Sequence, residues 1–389
     1  MSEKNFRSTS IESASKKSWR LFSSVVAVLL LALPLTVQGA TPWYSQGETH
    51  VLTLTENGKV WVMGGNEFGQ LGNGTFENEE EVTEPVLIKG LDDIIAVLTG
   101  GNHSVALKKD GTVWTWGFNR TGQLGNGTTE DSAVPRKVAG LANIKAIAAG
   151  GAHVVALKND GTVWVWGGNS SGQLGTGDSK DYATPKQLTS PQDVVAIAAG
   201  TYNTSVLKND GTVWSWGFNG SGQLGNGSNT KSRTPVQVAG LDNVHAIAAG
   251  NHHVAALKHD GTVWSWGNND TSQLGTMTAS YSPLPVQVQG ISEVADITAA
   301  LGHTIAIAKN DTVWAWGETG GGQWGNGVSM TGSAAPVMVA GYNGPVTVAA
   351  VVNPSTVLRD GSIMMAQANS DKRAKAYLKQ AEVVVTASR

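Results

Sequence analysis

The motif Trp-x-Trp-Gly returns every 50 residues, at Trp114 and Trp116, Trp164 and Trp166, Trp214 and Trp216, Trp264 and Trp266, and Trp314 and Trp316. A unit of that length is one supersecondary module. It is too small to bury its own apolar faces and must be covered by its neighbours. The repeat is therefore scaffold, and recognition is expected among the residues that do not repeat.

One unit, beginning at Asn143, reads Asn-Ile-Lys-Ala-Ile-Ala-Ala-Gly, Gly-Ala-His-Val-Val-Ala-Leu-Lys, Asn-Asp-Gly, Thr-Val-Trp-Val-Trp-Gly, a polar loop, and then Pro185 and Gln187-Leu188. Four short apolar runs punctuated by Gly, Asn, Asp and Pro predict four strands. The first run is small and apolar, as for a strand covered on both faces near a crowded axis. Asp-Gly pairs at 110–111, 160–161, 210–211, 260–261 and 360–361 predict two-residue hairpins with positive φ between the second and third strands. On the third strand the two tryptophans share one face, and Val163 and Val165 take the other. A sheet that is apolar on both faces needs two covers, and radial stacking of like sheets supplies them without long exposed edges. The fold class expected is all-β, a β-propeller of four-stranded antiparallel blades. Each Trp can bury roughly 150–250 Å², so the doublets are expected to dominate blade-to-blade packing rather than to stack a ligand.

Length sets the number of blades. The 349 residues after position 40, divided by the period, give about seven, with boundaries near 41–91, 92–141, 142–191, 192–241, 242–291, 292–343 and 344–389. Blade one has a weak first strand at residues 43–46 and a single Trp61, and its acidic run Glu77, Glu79, Glu80 and Glu81 reads as a solvated loop insertion. In blade seven Met364 and Ala366 replace the doublet, residues 371–379 read as a short helix, and residues 382–387 read as the outer strand. Terminal repeats are commonly atypical. The final segment also resembles the energy-coupling box of outer-membrane receptors, but its position at the end of a propeller favours the strand.

Residues 1–40 stand outside the repeat. Lys16, Lys17 and Arg20 precede an apolar run over 21–35, and Gly39 and Ala40 offer a cleavage site, the layout of an export signal. Left uncleaved, the run would be a membrane anchor, the one route by which a membrane would be a partner. Either form places the propeller outside the cytoplasm, in the periplasm or the medium. The chain has no Cys, which excludes disulfides and thiol chemistry. Removing residues 1–40 takes away five basic and two acidic residues and leaves a net charge of −6. Basic residues are scattered, so no patch concentrates against phosphates and nucleic acid is not an expected partner. The 49 glycines fall at fixed offsets between apolar runs, which marks turns rather than disorder.

Taken in register, these elements resemble the regulator of chromosome condensation repeat family, in an exported bacterial-type form. The carriers are Ile-Ala-Ala-Gly followed by His153 and His253, Ala-Leu-Lys-x-Asp-Gly-Thr-Val-Trp-x-Trp-Gly, and Gly-Gln-Leu-Gly at 122–125, 172–175 and 222–225. The resemblance is strong over 47–341 and weak over 342–367. It implies a seven-bladed propeller, in agreement with the length. The eponymous nuclear member is an exchange factor for a small GTPase, yet a fold does not carry an activity by itself. An exported chain is not expected to meet a small GTPase in the cytosol.

Two tempting motifs are read as structure. Gly-Gln-Leu-Gly-Asn-Gly at 122–127 lacks the Lys-Ser or Lys-Thr and the helix of a phosphate loop. His50, His103, His153, His253 and His303 share one repeat position, but equivalent points on sheets about 10 Å apart do not bring two nitrogens within the roughly 4 Å that a shared zinc requires. These histidines are expected to be satisfied residues tying blade to blade, with Asn203 and Asn353 serving likewise. No nucleophile, base and orienting group recur at motif positions, so no catalytic residue, metal or cofactor is expected.

The residue pairs between the first strand and the histidine position differ from blade to blade: Glu48-Thr49, Gly101-Asn102, Gly151-Ala152, Thr201-Tyr202, Asn251-His252, Leu301-Gly302 and Val351-Val352. Variable tips on a rigid ring are where recognition is expected. Asn102, Tyr202, Asn251 and His252 are the candidate partner-binding residues. Relatives that inhibit β-lactamases, and plant ultraviolet sensors, are rich in aromatics at such tips, whereas this chain has only Tyr202 and His252 there, which counts against both. The function expected is that of an exported, non-enzymatic monomer presenting one face to a protein partner. An enzyme inhibitor and a glycan-binding envelope protein are the alternatives.

Overall fold

The computed structural model describes residues 43–318, apart from 56 and 278, and residues 333–339. The export segment over 1–40, the seventh blade with its helix and closing strand, and the positions of Val351, Val352 and Asn353 lie outside the described residues.

Within the described residues the chain forms six four-stranded antiparallel sheets, each made of four consecutive strands paired in chain order. Blade three is representative, with strands Ile144–Ala149, His153–Lys158, Val163–Gly167 and Tyr182–Gln187. Its third strand pairs the second in unbroken register from Leu157↔Val163 to His153↔Gly167. The first strand of blade one is Trp43–Gln46, at the place expected. Along the first strands of blades two to five the second residue emerges while its neighbours stay buried, as at Ile95 and Val195, where a register shift follows.

Two local expectations need correction. Between the second and third strands the turn has three residues, not two: Lys108 N–H reaches Thr112 O and Gly111 N–H returns to Lys108 O. Only the glycine takes positive φ, 78° at Gly111, because Asp110 Oδ1 accepts both the amide and the hydroxyl of Thr112 and holds the preceding residues in an ordinary turn. The acidic run is not a loop insertion either. It opens an 11-residue fourth strand, Glu77–Leu87, which extends the pairing to Asn66↔Glu77 through two register shifts.

The blades are joined by their apolar faces. One buried cluster combines Val155, Val163 and Val165 of blade three with Ile197, Val206 and Trp216 of blade four, and the same arrangement carries Trp266 and Trp316 into the clusters that follow. The second Trp of each doublet is fully buried. Its indole crosses the junction, with Trp116 Nε1 donating to Gln70 O at 2.9 Å, Trp166 to Gln123 O at 3.0 Å and Trp216 to Gln173 O at 2.9 Å. The first Trp stays on its own blade, where Trp164 Nε1 donates to Thr162 Oγ1. The Gly-Gln-Leu-Gly loop therefore supplies the acceptor that the next blade's indole needs.

Among the described residues the histidines follow the expected design in blades one, three and five. His50 Nε2 meets Ser104 Oγ at 2.8 Å, His153 Nε2 meets Thr204 Oγ1 at 3.0 Å, and His253 Nε2 meets Thr304 Oγ1 at 2.9 Å, each across a junction. Those hydroxyls in turn donate to Gln70 O, Gln173 O and Gln273 O, the carbonyls that also accept the indoles. His103 and Asn203 have no such partner, and every side-chain nitrogen and oxygen of both is unpaired. The cause is the facing residue, which is Val154 or Val254 in place of Ser or Thr.

Candidate functional site: the tip face

At one end of the six described blades the tips form a hydrogen-bonded ladder from blade to blade. Glu48 N–H donates to Gly101 O, Gly101 to Gly151 O, Gly151 to Thr201 O, Thr201 to Asn251 O and Asn251 to Leu301 O, over 3.1–3.4 Å. A second set of bonds ties each tip to the segment after Trp-x-Trp-Gly on its own blade: Phe118 N–H donates to Asn102 O, Phe218 to Tyr202 O and Asn268 to His252 O. Asparagines brace the loops behind, since Asn119 Oδ1 accepts the Leu124 amide while its Nδ2 donates to Thr128 O and Glu130 O. Backbone geometry at the tips is thus repeated while the side chains vary, which is the layout of a recognition surface.

The four residues nominated from sequence fall into two groups. Asn102 is tied to blade one, its Oδ1 accepting from Thr49 Oγ1 at 2.9 Å. Tyr202 is 43% exposed on blade four. His252, half-buried on blade five, packs edge to face on Phe218 at 6.3 Å between ring centroids, and its Nδ1 has no partner. Burial holds the His252 pKa below the usual histidine value, which favours the neutral ring. Asn251 completes the ladder beside it.

Three aromatic residues were missed by reading the tips alone. Phe68 and Phe118 meet edge to face at 4.8 Å across the junction of blades one and two, and Phe218 joins Tyr202 and His252 at blades four and five. They lie 16 residues beyond Asn102 and Tyr202 in the cases of Phe118 and Phe218, on the loop after the third strand. The return of the meander to the same end of the blade was the signal that places them there. Among the described residues no three His, Asp or Glu side chains converge in a group able to hold a metal ion.

A model of the RCC1-like domain matches residues 33–356. The chain belongs to the RCC1-like domain family. It is 44% identical over 87 residues to the protein RCC2 homolog of Danio rerio, an alignment covering 22% of this chain and 17% of that protein. The chain spans less than a quarter of the length of the curated relatives it matches. Human WBSCR16 has a similar structure, with TM-score 0.71 and 24% identity over 83% of this chain and 88% of that one. Prp20p of Saccharomyces cerevisiae superimposes with TM-score 0.69 and 25% identity, over 87% of this chain and 85% of that one.

The Prp20p structure is described together with its binding properties to Gsp1p and histones. The expectation that a small GTPase and nucleic acid are not among the partners is overturned by that finding. Net charge constrains long-range attraction and an export signal constrains compartment, but neither determines which protein surfaces a propeller face can match.

Proposed function

We propose that this RCC1-like propeller is an exported, non-enzymatic scaffold that binds a protein partner through the tip face. The observation that carries the reading is the contrast at the tips, where the backbone is pinned in the same way in successive blades while the side chains differ. Such a surface changes specificity without cost to the fold. The N-terminal segment over 1–40 supports export, and Asn102, Tyr202, Asn251 and His252 are the binding residues proposed.

The enzyme-inhibitor reading gains support from the same face. Phe68, Phe118 and Phe218 add aromatic anchors that the tips alone lack, and aromatic side chains are the usual centres of binding energy. Both readings are tested by partner capture with the purified protein, comparing the parent with a Tyr202→Ala, His252→Ala double variant. Small GTPases and secreted hydrolases are included as purified candidates. Loss of capture with unchanged thermal stability supports the tip face; capture unaltered by the double variant places binding elsewhere.

A further inference from the structure

The tip face carries more carboxylates than cations, although Lys180 and Lys231 stand on its loops in blades three and four. Glu48 and Glu67 stand on blade one, Asp270 on blade five and Glu318 on blade six, and none belongs to an ion pair of the described residues. Asp270 accepts from the neutral amide of Asn268 at 2.8 Å. Arg120, at the corresponding loop of blade two, is turned to Asp131 on its own blade at 3.5 Å. At the opposite end of the blades Lys208 pairs with Asp210, Lys258 with Asp242 and Lys309 with Glu293, while Asp110, Asp160 and Asp260 accept from the neutral threonines of their own turns. The carboxylates beside the variable tips are thus without an ion-pair partner among the described residues.

Aromatic groups flank these carboxylates on both sides, Phe68 with Phe118 and Tyr202 with Phe218 and His252. At the second group Gln223 is fully buried and its Nε2 has no acceptor. The corresponding amides of Gln70 and Gln273 donate to Thr49 Oγ1 and Asn268 Oδ1, both tip-face side chains. Phe218 occupies the repeat position of Asn268, so the amide of Gln223 has lost its acceptor to an aromatic ring. A buried donor in that state is destabilising until a carbonyl comes within reach.

Resting on the reading of this face as a protein-binding surface, we infer that its partner presents a basic polypeptide segment. Lysine or arginine side chains would meet Glu48, Glu67, Asp270 and Glu318 through charge-assisted hydrogen bonds, which are about twice as strong as neutral ones. Their cationic heads can also lie on Tyr202 and Phe218, where a ring face attracts a cation. One chemistry thus answers both the carboxylates and the aromatic rings of the face.

The test is fluorescence anisotropy on the full chain with labelled peptides of equal length, one Lys/Arg-rich, one Glu-rich and one neutral. The basic peptide should bind, and the quadruple variant E48Q/E67Q/D270N/E318Q should weaken it by about tenfold or more. Raising salt from about 0.05 M to about 0.3 M should weaken the parent and barely affect the variant. Neutralising the opposite face by D92N/D160N/D210N should leave binding unchanged. If the quadruple variant melts early, the triple variant that retains Glu318 is used. Equal binding of the Glu-rich peptide, or tip variants that bind the basic peptide as well as the parent, overturns the inference. If captured partner is lost with Tyr202→Ala, His252→Ala but kept with the charge variant, the basic segment is wrong while the protein-binding face stands.

Discussion

At each junction among the described blades a glutamine carbonyl faces the neighbouring blade, and a single residue determines how many donors it receives. Gln173 O accepts both Thr204 Oγ1 and Trp216 Nε1. Gln123 O accepts the Trp166 indole and faces Val154 where a hydroxyl would stand. Val154→Thr keeps the volume, gives His103 a partner and gives Gln123 O its second donor, so it should stabilise by about 1 kcal/mol. Thr204→Val should cost about 1–3 kcal/mol, because His153 is left buried and unpaired. Denaturation midpoints of the two variants check both signs. The histidine column was legible in the sequence as blade-to-blade structure, and for His50, His153 and His253 that reading is correct. The alternation was not read because it resides one residue later, in the order Val51, Ser104, Val154, Thr204, Val254, Thr304. A side chain's satisfaction depends on what faces it across the junction, which a single column of the repeat does not contain.

At the level of strands and turns, spacing foretold much. The four runs per unit became four strands in chain order, because apolar runs of this length bounded by Gly, Asn and Asp have few other ways to pair. Turn type was less legible, since Asp-Gly serves both two-residue and three-residue hairpins and the bond from Asp110 to Thr112 decides between them. Blade six tests that account. There Asp311 stands in the glycine's place with φ of 64°, so Asp311→Gly should raise stability by about 1 kcal/mol, seen as a higher melting temperature. A second glycine position depends on space rather than on φ. A Cβ at Gly150 would strike the His153 ring and lie 2.6 Å from Gly200 O, whereas one at Gly140 would meet nothing within 4 Å. Gly150→Ala should therefore destabilise by about 3 kcal/mol or more through overpacking where blades three and four meet. Gly140→Ala should cost about 1 kcal/mol, from positive φ alone. Similar costs for the two would show that this junction is not close-packed.

For the whole molecule, the buried histidines set the response to acid. Burial lowers His50, His153 and His253 to about 3 and His103 to about 4, with the neighbouring His103 adding to the effect on His50 and His153. In the unfolded chain these rings titrate near the ordinary value of about 6.5. The folded state keeps them neutral, so stability is full above about pH 6.5 and declines as pH falls towards the folded values, by about 1.4 kcal/mol per pH unit for each proton taken up on unfolding. Replacing His103 by Gln should flatten the pH dependence of the unfolding free energy between those limits. A curve as steep as the parent's would show that His103 is not buried neutral.

The period of 50 residues made the propeller architecture and the tip loops legible in the sequence alone. It did not reveal which side chains from separate loops share the tip face, because Phe118 and Phe218 join Asn102 and Tyr202 only through the meander. If the rigid ring is scaffold and its tips carry recognition, hydrogen–deuterium exchange on the partner complex gives the most direct answer. Binding should slow exchange at residues 48–49, 101–102, 201–202 and 251–252 and in the segments around Phe68, Phe118 and Phe218. The hairpins at 109–112, 159–162 and 209–212 should exchange as in the free protein. Protection concentrated at those hairpins, with the tips unchanged, would contradict the assignment of function to the tip face.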